Sequence, residues 1–536
     1  MAMPRTDHDD EGQRVSAGGR RVVQLCACVA VAVQVLPIWL TTRFPDQDGP
    51  AHLASSAAMS GIYRAVAAKA LHSYVQIDLG LGHSPLGHLV LAGFVRATGV
   101  LTGQRLFLSA YLVLFPLAGW YAMSAIRKDA GSLVTLLLPV GSGYFLLLGF
   151  WDFLLSLVGS LVVVGYWLRH HADAGWRKYV SVSILLLVTS LLHPSGVIVG
   201  VPFVGLVALL DAVHARRRRA VVGVAATALA CLPAFVPAVL VAANASGSTP
   251  RPPLGHNLRG LFGLAFVVRV LHGQTEAAIT IVFVVMLAGL CALATIMRVR
   301  NRRLVATDAL LFVAIVCALG SLVAPGATGG AELLNERLAL FAVVMLIIWL
   351  GAQPFAARLG AVVAVVGAVV AVALIAVRIP TYRALDRNLR EITSVQTAMS
   401  PGRTYVVVLG RDTTQVDHLT AELRTDPFRS VGGYFAAERK LVGLDNYEGR
   451  YKYFPYQYVP ARDPVRQLFL VTDPRVYDRH PSLDLAGYTR RTGGHVDYVV
   501  VLGPPDPALK AQLAVDYRPI AVSKPTAIVT LFARQG

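Results

Sequence analysis

Polar and apolar positions along this chain fall into long blocks, not the short alternations of a soluble domain. Apolar runs of roughly membrane-spanning length lie at 22–40, 85–101, 106–126, 131–150, 151–168, 179–194, 197–213, 220–243, 277–297, 305–324, 338–356 and 359–378. Only segments that satisfy their own backbone hydrogen bonds cross lipid, so the pattern predicts a polytopic α-helical membrane protein. Tyr63–Val75 has the spacing of an amphipathic surface helix, and a second is expected near 259–271. Composition changes near residue 380. Charge rises, and β-type runs appear at Thr404–Leu409, Gln467–Thr472, Val496–Leu502 and Ala527–Ala533, with helical patterns near 412–424 and 505–514. These predict a small C-terminal α/β domain. The expected division is a cytoplasmic tail at 1–21, a transmembrane domain at 22–378 with its first outer loop at 41–83, and an extracytoplasmic domain at 379–536.

Charge refines the topology. Only 15% of the 536 residues are charged, against roughly 25% in soluble domains. Between Val22 and Arg378 there are eleven acidic residues, spread among the apolar runs. The net charge of +18 would suit nucleic acid. Much of it gathers instead in short clusters, at Arg169/Arg177/Lys178, Arg216–Arg219, Arg298–Arg303 and Arg358, which is the signature of cytoplasmic loops. Arg127-Lys128 joins that side if the 85–101 run, with Arg96 near its middle, is re-entrant or surface-lying. The expectation is therefore about eleven spans, or about twelve if that run crosses. The outer side then holds the Asp48 loop, the turns at Trp151-Asp152 and His193-Pro194, the loop at Asn335-Glu336-Arg337, and residues 244–276. All five cysteines lie in apolar runs, so neither a disulfide framework nor a cysteine metal site is expected.

The densest chemistry follows the first span, in Phe44-Pro-Asp-Gln-Asp-Gly-Pro-Ala-His-Leu53. Pro50 suits a first helical turn, which puts Asp48 at the helix entrance and His52 one turn on. Helix entrances also favour anions. Asp46, Asp48 and His52 fit a helix cap with solvated polar neighbours. They also fit an acid/base group for transfer onto a hydroxyl, or, with His83 or His88, a site for Mg²⁺, Mn²⁺ or Zn²⁺. Asp152, flanked by Phe150, Trp151 and Phe153, is either a wetted boundary residue or functional. His193 precedes Pro194 at a helix break and could meet a lipid phosphate. Arg337 heads an apolar run and carries a fork suited to phosphate, or snorkels at the interface. Arg251, Arg259, Arg269 and His256 are further phosphate donors in the large loop. The Tyr-rich stretch 444–458, with Tyr447 and Tyr451, could line a sugar subsite or form an aromatic belt.

The Asp48-x-x-x-His52 element just after the first span resembles the first outer loop of GT-C type glycosyltransferases, although many members have Glu where this chain has Gly49. His83-Ser-Pro-Leu86 is similar to the Pro-containing segment that opens the family's next helix. The resemblance implies a polyprenyl-phosphate-linked sugar donor and a glycan, lipid or protein acceptor on the outer face. It implies Asp48 as general base and Asp152 as the second outer acidic residue, orienting the acceptor or sharing a divalent cation (Mg²⁺ or Mn²⁺) with Asp48. Arg337, and less directly Arg259 and His193, would meet the phosphate. A transporter or flippase, or a non-catalytic envelope scaffold, would share the spans. No inverted repeat supports the former.

Overall fold

The computed structural model describes residues 17–127, 130–214, 217–245, 248–300, 305–328, 331–410, 414–470 and 482–535. Among them, eight helices are long and apolar enough to cross a membrane, with shorter apolar helices at Leu86–Thr98, Ser132–Leu148 and Asp308–Val323. Most of the expected tail, Lys128, Arg216 and residues 301–303 lie outside the described residues.

Several apolar runs yield elements unlike single spans. The 131–150 run divides into a 3-10 turn, Ala130–Leu137, and two short helices, Leu138–Gly141 and Tyr144–Leu148. The break is tolerated because the Tyr144 N–H donates to the Val267 carbonyl at 3.2 Å, from a different part of the chain. The 85–101 run forms the thirteen-residue helix Leu86–Thr98, which ends at Gly99 in a positive-φ conformation. At 1.5 Å per residue it reaches only about 20 Å, short of a roughly 30 Å hydrocarbon core. Its Arg96 is satisfied locally, donating to the Ser60 carbonyl at 3.1 Å. The next helix starts at Val100, earlier than the expected 106.

The last long helix, Ala357–Ser394, runs through Pro380 and past the boundary placed at 379. Beyond the proline it buries Tyr382, Leu385, Leu389 and Ile392, so packing holds its course where propensity alone would end it. Only the 3-10 turn Val395–Ala398 and a short connection then separate this helix from the C-terminal sheet, which begins at Thr404. Its five strands lie in the order Val442–Gly443, Thr404–Leu409, Tyr498–Leu502, Val529–Arg534, Tyr517–Val522. The first three are parallel, and the last two are antiparallel additions. Tyr498–Leu502 is buried throughout, as a central parallel strand should be.

The expected strand at Gln467–Thr472 is not seen: Gln467 closes the short helix Pro464–Gln467, Phe469 makes an isolated bridge to Leu483, and residues 471–472 lie outside the described residues. The patterns near 412–424 and 505–514 give Thr414–Thr420 and Pro507–Asp516, the latter capped by the Asp506 carboxylate. The second surface helix falls at Leu254–Phe262, earlier than placed.

The first loop and the C-terminal region are joined directly. The helix Ala65–Tyr74 leads into the strand Val75–Ile77, which pairs antiparallel with Tyr456–Tyr458. The helix Gly432–Arg439 packs on the helix Gly49–Met59 so closely that a Cβ on Gly433 would lie 1.9 Å from the Pro50 carbonyl oxygen.

A buried ion pair pins the middle of the last long helix, Ala357–Ser394, to its neighbours. Arg378 and Glu276 are both fully buried and 2.6 Å apart, and Arg378 also donates to the carbonyls of Ser142 and Val268 at 2.8 and 2.7 Å. Glu276 in turn accepts from the Val270 and Leu271 amides. Removing one partner strands the other's charge. Arg378→Met alone is expected to destabilise by about 3–5 kcal/mol, and adding Glu276→Gln should recover part of that loss. Thermal unfolding in detergent checks both.

Candidate active site

The loop after the first span is held in place by its backbone. The amides of Gln47 and Asp48 donate to the carbonyls of Leu147 and Leu148 at 2.9 and 3.1 Å. Gly49 is the point of closest approach, since a Cβ there would lie 2.2 Å from an Asp46 carboxylate oxygen and 2.3 Å from the Trp151 ring. This explains why the chain has no side chain where the resembled family often carries Glu.

Asp48 occupies the N-cap position of the helix Gly49–Met59, but its side chain caps no amide. It accepts instead from the Gln47 side-chain Nε2 at 3.3 Å. Burial pushes its pKa up to about 6, against the pull of Arg429 and His52. Asp46, fully buried, is also raised well above the usual carboxylate range by burial, partly offset by the Trp151 indole. One loop thus holds two carboxyls that burial pushes upward, one of them to about 6.

From this loop a chain of side chains leads away. His52 Nδ1 lies 2.5 Å from Glu448 Oε1, and its Nε2 lies 3.4 Å from the Tyr447 hydroxyl. His88 Nε2 lies 3.0 Å from the same Glu448 oxygen, and its Nδ1 lies 2.8 Å from Asp152 Oδ2. Glu448 is fully buried, and its second oxygen accepts from the Ser55 hydroxyl. Burial alone would raise the Glu448 carboxyl, but the facing His88 and His52 imidazoles outweigh it and hold it far below the usual range.

A cleft of about 750 Å³, counting its open mouth, gathers these groups. Asp48, His52, Asp152, His193, Arg337 and Tyr447 all line it. Arg337 is buried with its guanidinium 4.7 Å from the rings of both Phe150 and Phe153. It donates to the Glu332 carbonyl at 2.7 Å and to His193 Nε2 at 2.9 Å. His193 Nδ1 already accepts from the Ser195 amide at 3.1 Å. A neutral imidazole offers one acceptor nitrogen, so one of these two contacts is weak. Among the described residues no carboxylate forms an ion pair with Arg337.

The other expected site residues sit differently. Asp46 lies beneath the cleft, against Trp151. Tyr451 stands behind the wall, its hydroxyl donating to Glu332 Oε1 at 3.1 Å. Arg259 is exposed on the helix Leu254–Phe262, does not line the cleft, and donates to the Gly255 carbonyl within its own helix. The groups whose ligand atoms converge as a cation would require are His52, His88 and Glu448, with Asp152 touching His88 from outside and Asp48 not included. Residue-level reading missed Glu448, Glu332, Tyr453 and Phe454. Glu448 had a signal, as one of two carboxylates, with Asp445, inside the Tyr-rich stretch; Glu332, between two apolar runs, had none.

No protein-family model and no curated protein matches the chain. Its fold is similar to crystal structures of ArnT from Cupriavidus metallidurans. The one bound to undecaprenyl phosphate gives a TM-score of 0.54 at 12% identity, over 97% of this chain and 98% of that one. The apo form gives 0.53 at 12% identity, over 96% and 98%. ArnT is of the GT-C class, so the expected resemblance in fold is borne out across nearly the whole chain. The fold, together with the apolar helices, makes this a multi-pass membrane protein.

Gly49→Ala is expected to destabilise by about 1–3 kcal/mol, because Asp46 and Trp151 must both move. Gly93→Ala, where nothing lies within 4 Å, is the control. Comparing their melting temperatures in one detergent checks this.

Proposed function

We propose that this chain is a membrane glycosyltransferase that moves a sugar from a polyprenyl-phosphate donor to a hydroxyl of an extracytoplasmic acceptor, inverting the anomeric centre. One observation carries the reading: a carboxylate free of any capping role, and a buried arginine with no carboxylate ion-pair partner among the described residues, line the same cleft. The bound lipid of the ArnT crystal structure, undecaprenyl phosphate, supports the donor class.

In this reading Asp48 takes the proton of the acceptor hydroxyl. The acceptor oxygen forms the new bond to the anomeric carbon, and the carbon–oxygen bond to phosphate breaks. The polyprenyl phosphate leaves with the electron pair, its charge met by Arg337. Arg337 is ready for this because its His193 partner is neutral and replaceable. Asp152 orients the acceptor from the cleft wall, while Tyr447 and the neighbouring aromatic rings supply flat surfaces for a sugar. The cleft and the C-terminal sheet then face the extracytoplasmic side, with the basic clusters at the opposite ends of the helices.

Three outcomes are expected with purified protein, a labelled polyprenyl-phosphate sugar and an acceptor. Asp48→Asn should lower kcat by about 10²–10⁴ with the protein still folded. Unchanged transfer would remove Asp48 as base. Arg337→Gln should lower kcat by about 10²–10³, and Arg337→Lys should recover only part because the fork is lost. The base acts as carboxylate, and burial raises its pKa to about 6. Activity should therefore be full above that value and fall tenfold per pH unit below it. A pH profile of kcat/KM flat down to pH 4 would contradict this.

A further inference from the structure

The buried imidazole–carboxylate group beside the cleft calls for more than protons. We infer that His52, His88 and Glu448 form a binding site for a first-row divalent transition cation, of which zinc fits best.

Three atoms define it. His52 Nδ1 lies 2.5 Å from Glu448 Oε1, His88 Nε2 lies 3.0 Å from the same oxygen, and the two nitrogens are 3.2 Å apart. Read as hydrogen bonds, both nitrogens must carry a proton toward one oxygen, and the two donors then confront each other at 3.2 Å. A cation removes that conflict. Zinc binds imidazole nitrogen and carboxylate oxygen at roughly 2.0–2.2 Å, which in a tetrahedron spaces neighbouring ligand atoms roughly 3.3–3.6 Å apart. The observed triangle is close to this size, so modest side-chain movement admits the ion.

The surroundings support the same conclusion independently. A ligating histidine commonly has its far nitrogen held by a carboxylate or another polar group, and a ligating carboxylate is hydrogen-bonded in turn. Each candidate ligand has such a partner. His88 Nδ1 lies 2.8 Å from Asp152 Oδ2, His52 Nε2 lies 3.4 Å from the Tyr447 hydroxyl, and the free Glu448 oxygen accepts from Ser55. Three protein ligands leave a fourth position open, as in catalytic zinc sites. Of the three ligands His52 lines the cleft, which gives the site its route to solvent. Two imidazoles with one carboxylate suit zinc better than magnesium, which prefers oxygen.

The three ligands come from the helix Gly49–Met59, the helix Leu86–Thr98 and the turn Tyr447–Arg450. A bound cation would therefore fasten the C-terminal region to the first loop. The inference does not rest on the transferase reading, because metal content is measured without substrate.

The test is elemental analysis of full-length protein in detergent, loaded with zinc sulfate and dialysed against metal-free buffer. About one equivalent should remain in the wild type and fall to trace in Glu448→Gln and His88→Ala. The wild-type melting temperature should drop on adding EDTA and return with zinc. If those variants do not fold, Asp152→Asn, which keeps all three ligands, should weaken zinc affinity about 10–100-fold. Cobalt(II) in place of zinc should give the strong visible bands of a four-coordinate ion. Trace zinc in the folded wild type, with a melting temperature indifferent to EDTA and zinc, overturns the inference. So does equal zinc retention by folded Glu448→Gln.

Discussion

A buried charge must be answered, and Glu448 is the charge around which the cleft is assembled. It is fully buried, and an unpaired carboxylate there would cost several kcal/mol. Two imidazoles and a hydroxyl answer it, two of them from the helix Gly49–Met59 in the first loop and one from the helix Leu86–Thr98. Because the carboxylate belongs to the C-terminal region, its satisfaction fixes that region against the membrane helices. The register of Val75–Ile77 with Tyr456–Tyr458 and the close packing of Gly433 on Pro50 act in the same direction. Chemistry and docking thus share one network. Asp152 reaches it through His88, and Asp48 stands beside it on the same helix as His52.

That network explains why the cleft holds its unusual contents. Asp48 stays off its own helix amides because the loop backbone is already tied to Leu147 and Leu148. Its carboxylate is thereby left to the cleft, where burial brings it to a pKa of about 6, suited to taking a proton near neutrality. Arg337 is flanked by Phe150 and Phe153, an environment of low polarity in which an anion would be bound strongly.

Much of this was legible in the residue pattern. The long apolar blocks located the helical bundle, and short β-type runs located three of the five sheet strands, because central buried strands leave strong apolar runs. Val442–Gly443 and Tyr517–Val522 escaped notice: the first is two residues long, and the second is largely exposed with Pro519 inside. The break at 141–144 was hidden because its backbone partner, Val267, is distant in sequence. Asp48, His52, Asp152, His193, Arg337 and Tyr447 were singled out separately, as polar groups at the ends of apolar runs or within the Tyr-rich stretch, and the fold brings them to one cleft. Arg259 has the same local signature yet faces away. Glu448 lay inside the Tyr-rich stretch, but what sets it apart from Asp445 there is its contact with His52 and His88, which are hundreds of residues away in sequence.

The account stands or falls on where a polyprenyl phosphate sits. The most direct measurement is an experimental structure of the purified protein with undecaprenyl phosphate. The account predicts the phosphate in the cleft lined by Asp48 and Arg337, within hydrogen-bond distance of the Arg337 guanidinium and replacing its contact with His193. A lipid phosphate bound elsewhere, with Arg337 still on His193 and the cleft closed to it, would contradict the account.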